Sequence, residues 1–257
     1  MSKIRVLVLR AAGINCDEEV CHAWQLAGAT VVLAHVNAIA ETPAQINDFQ
    51  IVTIPGGFSY GDDIGAGTIL AQRILYDLAE PLAELVGRGG GLLGVCNGFQ
   101  ALVKTGLLPG GDGRRRNVTV TFNDSAKFEA RWVRMEVATD RCPFLRSGAI
   151  LEMPVEHAEG RVITAGAAVT QELERNRQIA LRYVDEAGRH DRYPANPNGS
   201  VAGIAGLCDA TGRIFGLMPH PDRYFDHTQH PLWTSRTASG PPDGLTIFLN
   251  AVNYWAK

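Results

Sequence analysis

Cys96 is framed by a glycine two positions away on either side, Gly94-Val95-Cys96-Asn97-Gly98, and follows directly on an apolar run over 91–95. A structural cysteine needs no such frame, but a nucleophile does. A tight strand-to-helix turn exposes the side chain and aims the next backbone N–H at the reacting oxygen. A helix starting just past Cys96 also sets its positive end near the sulfur and favours the thiolate.

Two further loops carry chemistry of a matching kind. In "IPGGFSYGDD" (54–63), Gly56 and Gly57 follow a strand directly, so backbone N–H groups can turn inward as an oxyanion hole. In "FGLMPHPDRYF" (215–225), His220 stands between Pro219 and Pro221, which fix the backbone and hence the direction of the imidazole. His220 can take the thiol proton and return it to a leaving amine, while Asp222 holds the ring. A thiolate attacking an amide carbonyl gives a thioester and releases ammonia, and water then hydrolyses the thioester. Cys96, His220 and Asp222 together are amidase or acyl-transfer machinery.

The elements that must position these loops are legible in the apolar pattern. "IRVLVL" (4–9), "TVVLAH" (30–35), "QIVTIP" (50–55) and "GLLGV" (91–95) are short, β-branched-rich runs expected of strands covered on both faces. Between them the spacing predicts helices over 17–28, over 65–87 with an interruption before Pro81, and over 97–105. Strand and helix in this rhythm give a doubly wound, mostly parallel sheet, whose ligands sit beyond the carboxyl ends of the strands. The second half changes character. "NVTVTF", "FEARWVRMEVA", "QIALRYV" and "VAGIAGL" predict longer strands with few helices, and "DATGR" (209–213) a hairpin turn into "IFGLM". A helix over 244–255 follows. The expectation is one α/β domain over 1–257 with an added antiparallel or mixed portion in its second half.

Composition removes several classes of function. A net charge of −3 leaves no basic surplus for nucleic acid or a membrane surface, and Arg114-Arg115-Arg116 is the only basic cluster, read as a solvated loop. No apolar run reaches the length of a membrane span, and "MSKIRVLVLR" is too short for a signal-peptide core and cleavage site. The three Asn-x-Ser/Thr triplets at Asn117, Asn123 and Asn198 are then chance matches. Five cysteines, at 16, 21, 96, 142 and 208, show neither pairing nor zinc spacing. Cys16 alone among the others falls near the ligand edge, in "GINCD". His220, Asp222, His227 and His230 are the one set worth weighing for a metal, but "DHTQHP" reads as loop, and no metal is expected. A cytoplasmic protein is expected.

Together, "GVCNGFQ", "IPGGFSYGD" and "MPHPDR" resemble the class I (triad-type) glutamine amidotransferases. "GINCDEE", "NDSAKFEARWV", "YPANPNGS" and the tail from "HPLW" to "GLTIFLNAVNYW" resemble the branch that forms glutaminase subunits of phosphoribosylformylglycinamidine synthases. The resemblance implies Cys96 as nucleophile, His220 as general base, and the Gly57 and Asn97 N–H groups as oxyanion hole. It places Gly56, Gln100, Asn123 and Ser125 in the glutamine pocket. It also implies no cofactor in this chain, with ATP and magnesium on a large synthetase subunit and a small third subunit bridging the two. That assembly belongs to purine biosynthesis, and no G-x-x-x-x-G-K-[ST] loop is present here. A glutaminase of another pathway and a non-catalytic partner-binding subunit are the alternatives. The chain departs from the pattern at Asp222, where the family has glutamate, and at Ala158, where it more often has glycine. With the shorter Asp222, Glu156 and Asp226 stand as rival orienters of His220.

Overall fold

The structure, a computed structural model, describes residues 3–110, 116–237 and 239–257. Of the basic cluster only Arg116 falls among them, and it is exposed; Arg114 and Arg115 lie outside the described residues.

β1 (Arg5–Arg10), α1 (Asp17–Leu26), β2 (Thr30–His35), α2 (Val36–Glu41), β3 (Ile51–Ile54), α3 (Thr68–Arg73), α4 (Ala79–Gly87), β4 (Gly91–Val95) and α5 (Asn97–Thr105) make the first half. Val6, Leu7, Val8 and Leu9 of β1 are all buried, as a strand covered on both faces requires. The paired helices before β4 are joined by a π turn at Ile74–Leu78. The break follows from Pro81. Without an N–H, proline is tolerated in the first turn of α4 but would disrupt one continuous helix. α2 has no counterpart in the sequence expectation; at six residues it is too short to show a period.

The second half contains β5 (Val118–Thr121), β6 (Glu129–Val137), β7 (Ile150–His157), β8 (Arg161–Thr164), α6 (Ala167–Arg175), β9 (Ile179–Tyr183), β10 (Ile204–Cys208), β11 (Ile214–Leu217) and α7 (Asp243–Trp255). One nine-stranded sheet runs through both halves in the order β2-β1-β3-β4-β11-β10-β9-β6-β7. Its first five strands are parallel and the remaining pairings antiparallel, including the expected β10–β11 hairpin. Two features go beyond the expectation. The "NVTVTF" strand is present as β5, and it pairs with β8 in a separate two-stranded sheet. β7, β8 and α6 were not anticipated. β7 carries Pro154 in its middle, which argues against a central strand. It lies at the sheet edge, where a missing N–H faces no partner.

Candidate active site

The carboxyl ends of β1, β3, β4 and β11 lie side by side in the parallel half, and each expected site loop leaves one of them. Cys96 follows β4 with φ +48° and ψ −104°, a backbone outside the ordinary allowed regions for a side-chain-bearing residue. Two hydrogen bonds hold it there. Its N–H donates to Leu217 O of β11 at 2.8 Å, and its carbonyl accepts from Gln100 N at 3.0 Å as α5 begins. A side chain on Gly98 would run into the carbonyl oxygen of Ile54, so α5 can close on β3 only with glycine there. The sharp turn after the strand is thus fixed on both sides of the cysteine.

His220 comes off β11 and is completely enclosed. Its backbone N–H donates to Pro154 O of β7 at 2.8 Å, so the unforeseen edge strand fixes the histidine loop. A Cβ placed on Gly56 would lie 2.7 Å from His220 Cε1, 3.3 Å from Cys96 Cβ and 3.4 Å from Cys16 Sγ. Three side chains from three strand ends therefore crowd one point, and only glycine leaves room for them. His220 Nδ1 is 3.5 Å from both carboxylate oxygens of Asp222, longer than a good hydrogen bond. His220 Nε2 has no hydrogen-bond partner among the described residues, which leaves it free to exchange a proton. Cys96 Sγ instead lies 3.8 Å from Glu156 O. Burial pulls the imidazole pKa down, but the negative charge of a Cys96 thiolate and that of Asp222 outweigh it and hold His220 well above the usual histidine value.

Neither rival carboxylate faces the ring. Glu156 is ion-paired with Arg223, and Asp226 accepts from Thr228 N at 2.8 Å in an exposed turn. Asp222, fully buried, is the carboxylate beside His220.

The N–H groups of Gly57 and Asn97 have no acceptor among the described residues. Gly57 has φ +139°, a conformation open to glycine, and is held against Ile14 by a bridge between the β1 and β3 loops. Asn97 also works through its side chain. Its Oδ1 accepts from Ser59 N at 3.1 Å and its Nδ2 donates to Asp62 Oδ1 at 3.0 Å, tying the loop after β3 to the start of α5. Asp62, which nothing in the sequence marked, also accepts from Gly67 N at 3.1 Å.

Two of the expected glutamine-pocket residues are hydrogen-bonded within the chain. Gln100 and Asn123 are buried at the site, but both spend their amides on the protein. Gln100 Nε2 donates to Glu159 O and its Oε1 accepts from Asn97 Nδ2. Asn123 Oδ1 lies 3.0 Å from both His157 Nδ1 and Gly160 N, while its Nδ2 donates to His157 O and Lys127 O. They build the wall at 157–160 rather than offer free groups. Ser125 lies in an exposed turn with its hydroxyl accepting from Lys127 N at 3.3 Å. Ala158 is not among the residues with positive φ, so its backbone does not demand glycine, and its carbonyl accepts from Asn123 N at 2.9 Å.

Sequence reasoning missed Arg223, which reaches Glu156, Glu19 and Cys16 from beside His220. It closes the "MPHPDR" motif, but nothing in that spacing marks it as a partner of Cys16 or Glu19. The other cysteines divide cleanly. Burial pushes the Cys208 thiol up to about 12 and Cys21 to about 11, and Cys142 is enclosed in the core. All three are held as inert thiols.

Among the described residues, one set of three or more potential metal ligands exists: Cys16, His220 and Asp222, within 4.8 Å of one another. Arg223 Nη2, 3.4 Å from Cys16 Sγ, places a fixed positive charge against any cation there. His227 and His230 do not join them. His227 Nε2 is 2.9 Å from Gly240 O, and His230 packs edge-on against Trp132. No helix among the described residues is long and apolar enough to cross a membrane.

Known proteins share this arrangement as a whole. The family model for the CobB/CobQ-like glutamine amidotransferase domain matches residues 3–255. The phosphoribosylformylglycinamidine synthase subunit PurQ of Dehalococcoides mccartyi is 42% identical, with 100% of this chain and 99% of that one aligned. The subunit of the same name from Archaeoglobus fulgidus is 38% identical over 99% and 98% of the two chains. The structure of PurLQS from Thermotoga maritima superposes with a TM-score of 0.74 at 29% identity, covering 99% of this chain and 100% of that one. A cysteine turn, a double-glycine loop and a buried histidine that converge in a chain matched almost end to end place this protein in the CobB/CobQ-like glutamine amidotransferase family.

Proposed function

We propose that this chain is the glutaminase subunit of a phosphoribosylformylglycinamidine synthase in purine biosynthesis. The observation that carries the chemistry is the convergence of Cys96 and His220 on the space left empty at Gly56. Subunits of this name at 38–42% identity over nearly the full chain carry the assignment to that synthase.

In this reading the Cys96 thiolate attacks the side-chain amide carbon of glutamine, with His220 holding the thiol proton. The oxyanion is met by the unengaged N–H groups of Gly57 and Asn97, which are preorganised and need no rearrangement. The C–N bond breaks as His220 returns the proton to the leaving nitrogen, giving ammonia and a thioester on Sγ. Water, deprotonated by His220, then adds to the thioester and releases glutamate. Asp222 orients the ring and stabilises its charged form. Gly56 lines the floor of the pocket, and Gln100 and Asn123 hold its 157–160 wall.

The ammonia passes to an ATP-dependent synthetase subunit, where ATP and magnesium bind, with a small third subunit between them. The relative solved as PurLQS is a complex of this kind. The site sits in the cytoplasm. Labelling with a glutamine-like electrophile tests the chemistry, with one equivalent expected on Cys96. Conversion of formylglycinamide ribonucleotide to the amidine by the reconstituted complex tests the pathway. Labelling without that conversion would assign the chain to another amidotransferase. No labelling would leave a partner-binding subunit.

A further inference from the structure

Cys16 has no role in the mechanism above, yet it is buried against its centre. It follows the β1 loop and is 2% exposed. Its sulfur is 3.4 Å from the empty Cβ position of Gly56 that His220 and Cys96 also border. A donor atom of Cys16 lies within 4.8 Å of a ring nitrogen of His220 and a carboxylate oxygen of Asp222. The S–H points to Asn15 Oδ1 at 3.4 Å, while Arg223 Nη2 donates to the sulfur at 3.4 Å. These two contacts fix the sulfur beside the histidine, with its S–H turned away toward Asn15.

Asp222 alone holds the ring poorly. Both its oxygens stand 3.5 Å from Nδ1, and Oδ1, fully buried, has no hydrogen-bond partner among the described residues. A carboxylate at this distance supplies charge but little direction. A second polar group is needed to fix the imidazole, and Cys16 is the one in place.

We propose that Cys16 is a positioning residue for His220: its sulfur and the Asp222 carboxylate together hold the imidazolium that protonates the departing ammonia. This rests on the glutaminase reading above. Arg223, anchored by Glu156 and Glu19, in turn holds the sulfur. Burial pushes the Cys16 thiol up, so it remains neutral and acts as an acceptor rather than as a second nucleophile. The titratable and charged groups around His220 are Cys96, Asp222, Cys16, Arg223, Glu19 and His157. Removing Cys16 takes away one stabiliser of the imidazolium and leaves the others.

The test uses the assembled complex and compares Cys16→Val, Cys16→Ala and Cys16→Ser. Valine fills similar space without lone pairs, whereas serine keeps an acceptor. Cys16→Val and Cys16→Ala should lower kcat for glutamine hydrolysis about tenfold, the worth of one hydrogen bond to a charged group, with KM unchanged. The alkaline limb of the kcat profile should move to lower pH, because the imidazolium loses its proton more easily. Cys16→Ser should recover most of both. Ammonia-dependent synthesis by the same complexes should be unaffected. Unchanged kcat and pH limb in Cys16→Val would overturn the proposal, even if thermal stability fell. Should Cys16→Ala fail to fold, the valine and serine pair decides. Cys96→Ala is run alongside: if it retained glutamine hydrolysis, the glutaminase reading itself would fail, separately from the role of Cys16.

Discussion

In the parallel half of the sheet the proposed reacting groups stand directly on strand ends: Cys96 one residue past β4, Gly57 three past β3 and His220 three past β11. The antiparallel half supplies no reacting group. It gives Pro154 O to the backbone of His220, Glu156 to Arg223, and the 157–160 wall. That wall is held by a buried polar network in which Asn198 Nδ2 donates to Gly160 O and Ser200 Oγ donates to Asn198 Oδ1. The difference teaches that a triad can be built from one sheet half and stiffened by the other. Changes in the first half should then strike turnover, and changes in the second should strike stability.

The largest effect should come from Cys96→Ala. Glutamine-dependent turnover is expected to fall by at least about a thousandfold, because the covalent route is lost outright. Ammonia-dependent synthesis and thermal unfolding should stay as in the parent. Near-normal glutamine hydrolysis would break the comparison at its root.

Asp222→Asn comes next. The fold should persist, since an amide fits where the carboxylate sat, but turnover should drop about 10- to 100-fold as the imidazolium loses its counter-charge. A thiolate can persist without a perfect base, so the loss stays below that of Cys96→Ala. Asp222→Glu should keep part of the activity, its extra methylene closing the 3.5 Å gap to Nδ1. Unchanged turnover in Asp222→Asn would remove Asp222 from the triad.

The antiparallel half should show itself in acid. Burial depresses the His157 pKa to about 4, from the ordinary histidine value of 6.5. The folded state therefore holds His157 neutral while the unfolded chain takes up the proton. His157 costs no stability above about pH 6.5, and stability is lost as pH falls from there toward 4. At about 1.4 kcal/mol per pH unit, the full loss is about 3 kcal/mol. Unfolding measured across that window should flatten in His157→Gln, with the difference from the parent read at each pH. An equal acid slope in both proteins would mean that this network does not carry the stability assigned to it.

The smallest effect is expected for Ser125→Ala. Its hydroxyl bonds only within its own exposed turn, so KM for glutamine should change less than about twofold. A larger rise in KM would return Ser125 to the pocket and blur the division between the halves.

The sequence by itself determined the parallel half and its chemistry. Strands buried on both faces read as unbroken apolar runs, and a strained turn needs small neighbours, so Gly94-Val95-Cys96-Asn97-Gly98 announced both the end of β4 and the strained turn that carries the proposed nucleophile. His220 between two prolines was legible for the same reason, since local backbone restraint is written in residue type. Tertiary structure decided what lies across the sequence. β7 was hidden because Pro154 spoils a strand pattern, and only its edge position makes that proline acceptable. Gln100 and Asn123 looked like ligand groups, and only the folded chain shows their amides already committed to Glu159, His157 and Gly160. Cys16 and Arg223 meet beside His220 although 207 positions separate them, and no spacing rule reaches that far. Residue type and local period fix short-range geometry; which distant side chains share a desolvated pocket is set by the packing of the whole sheet.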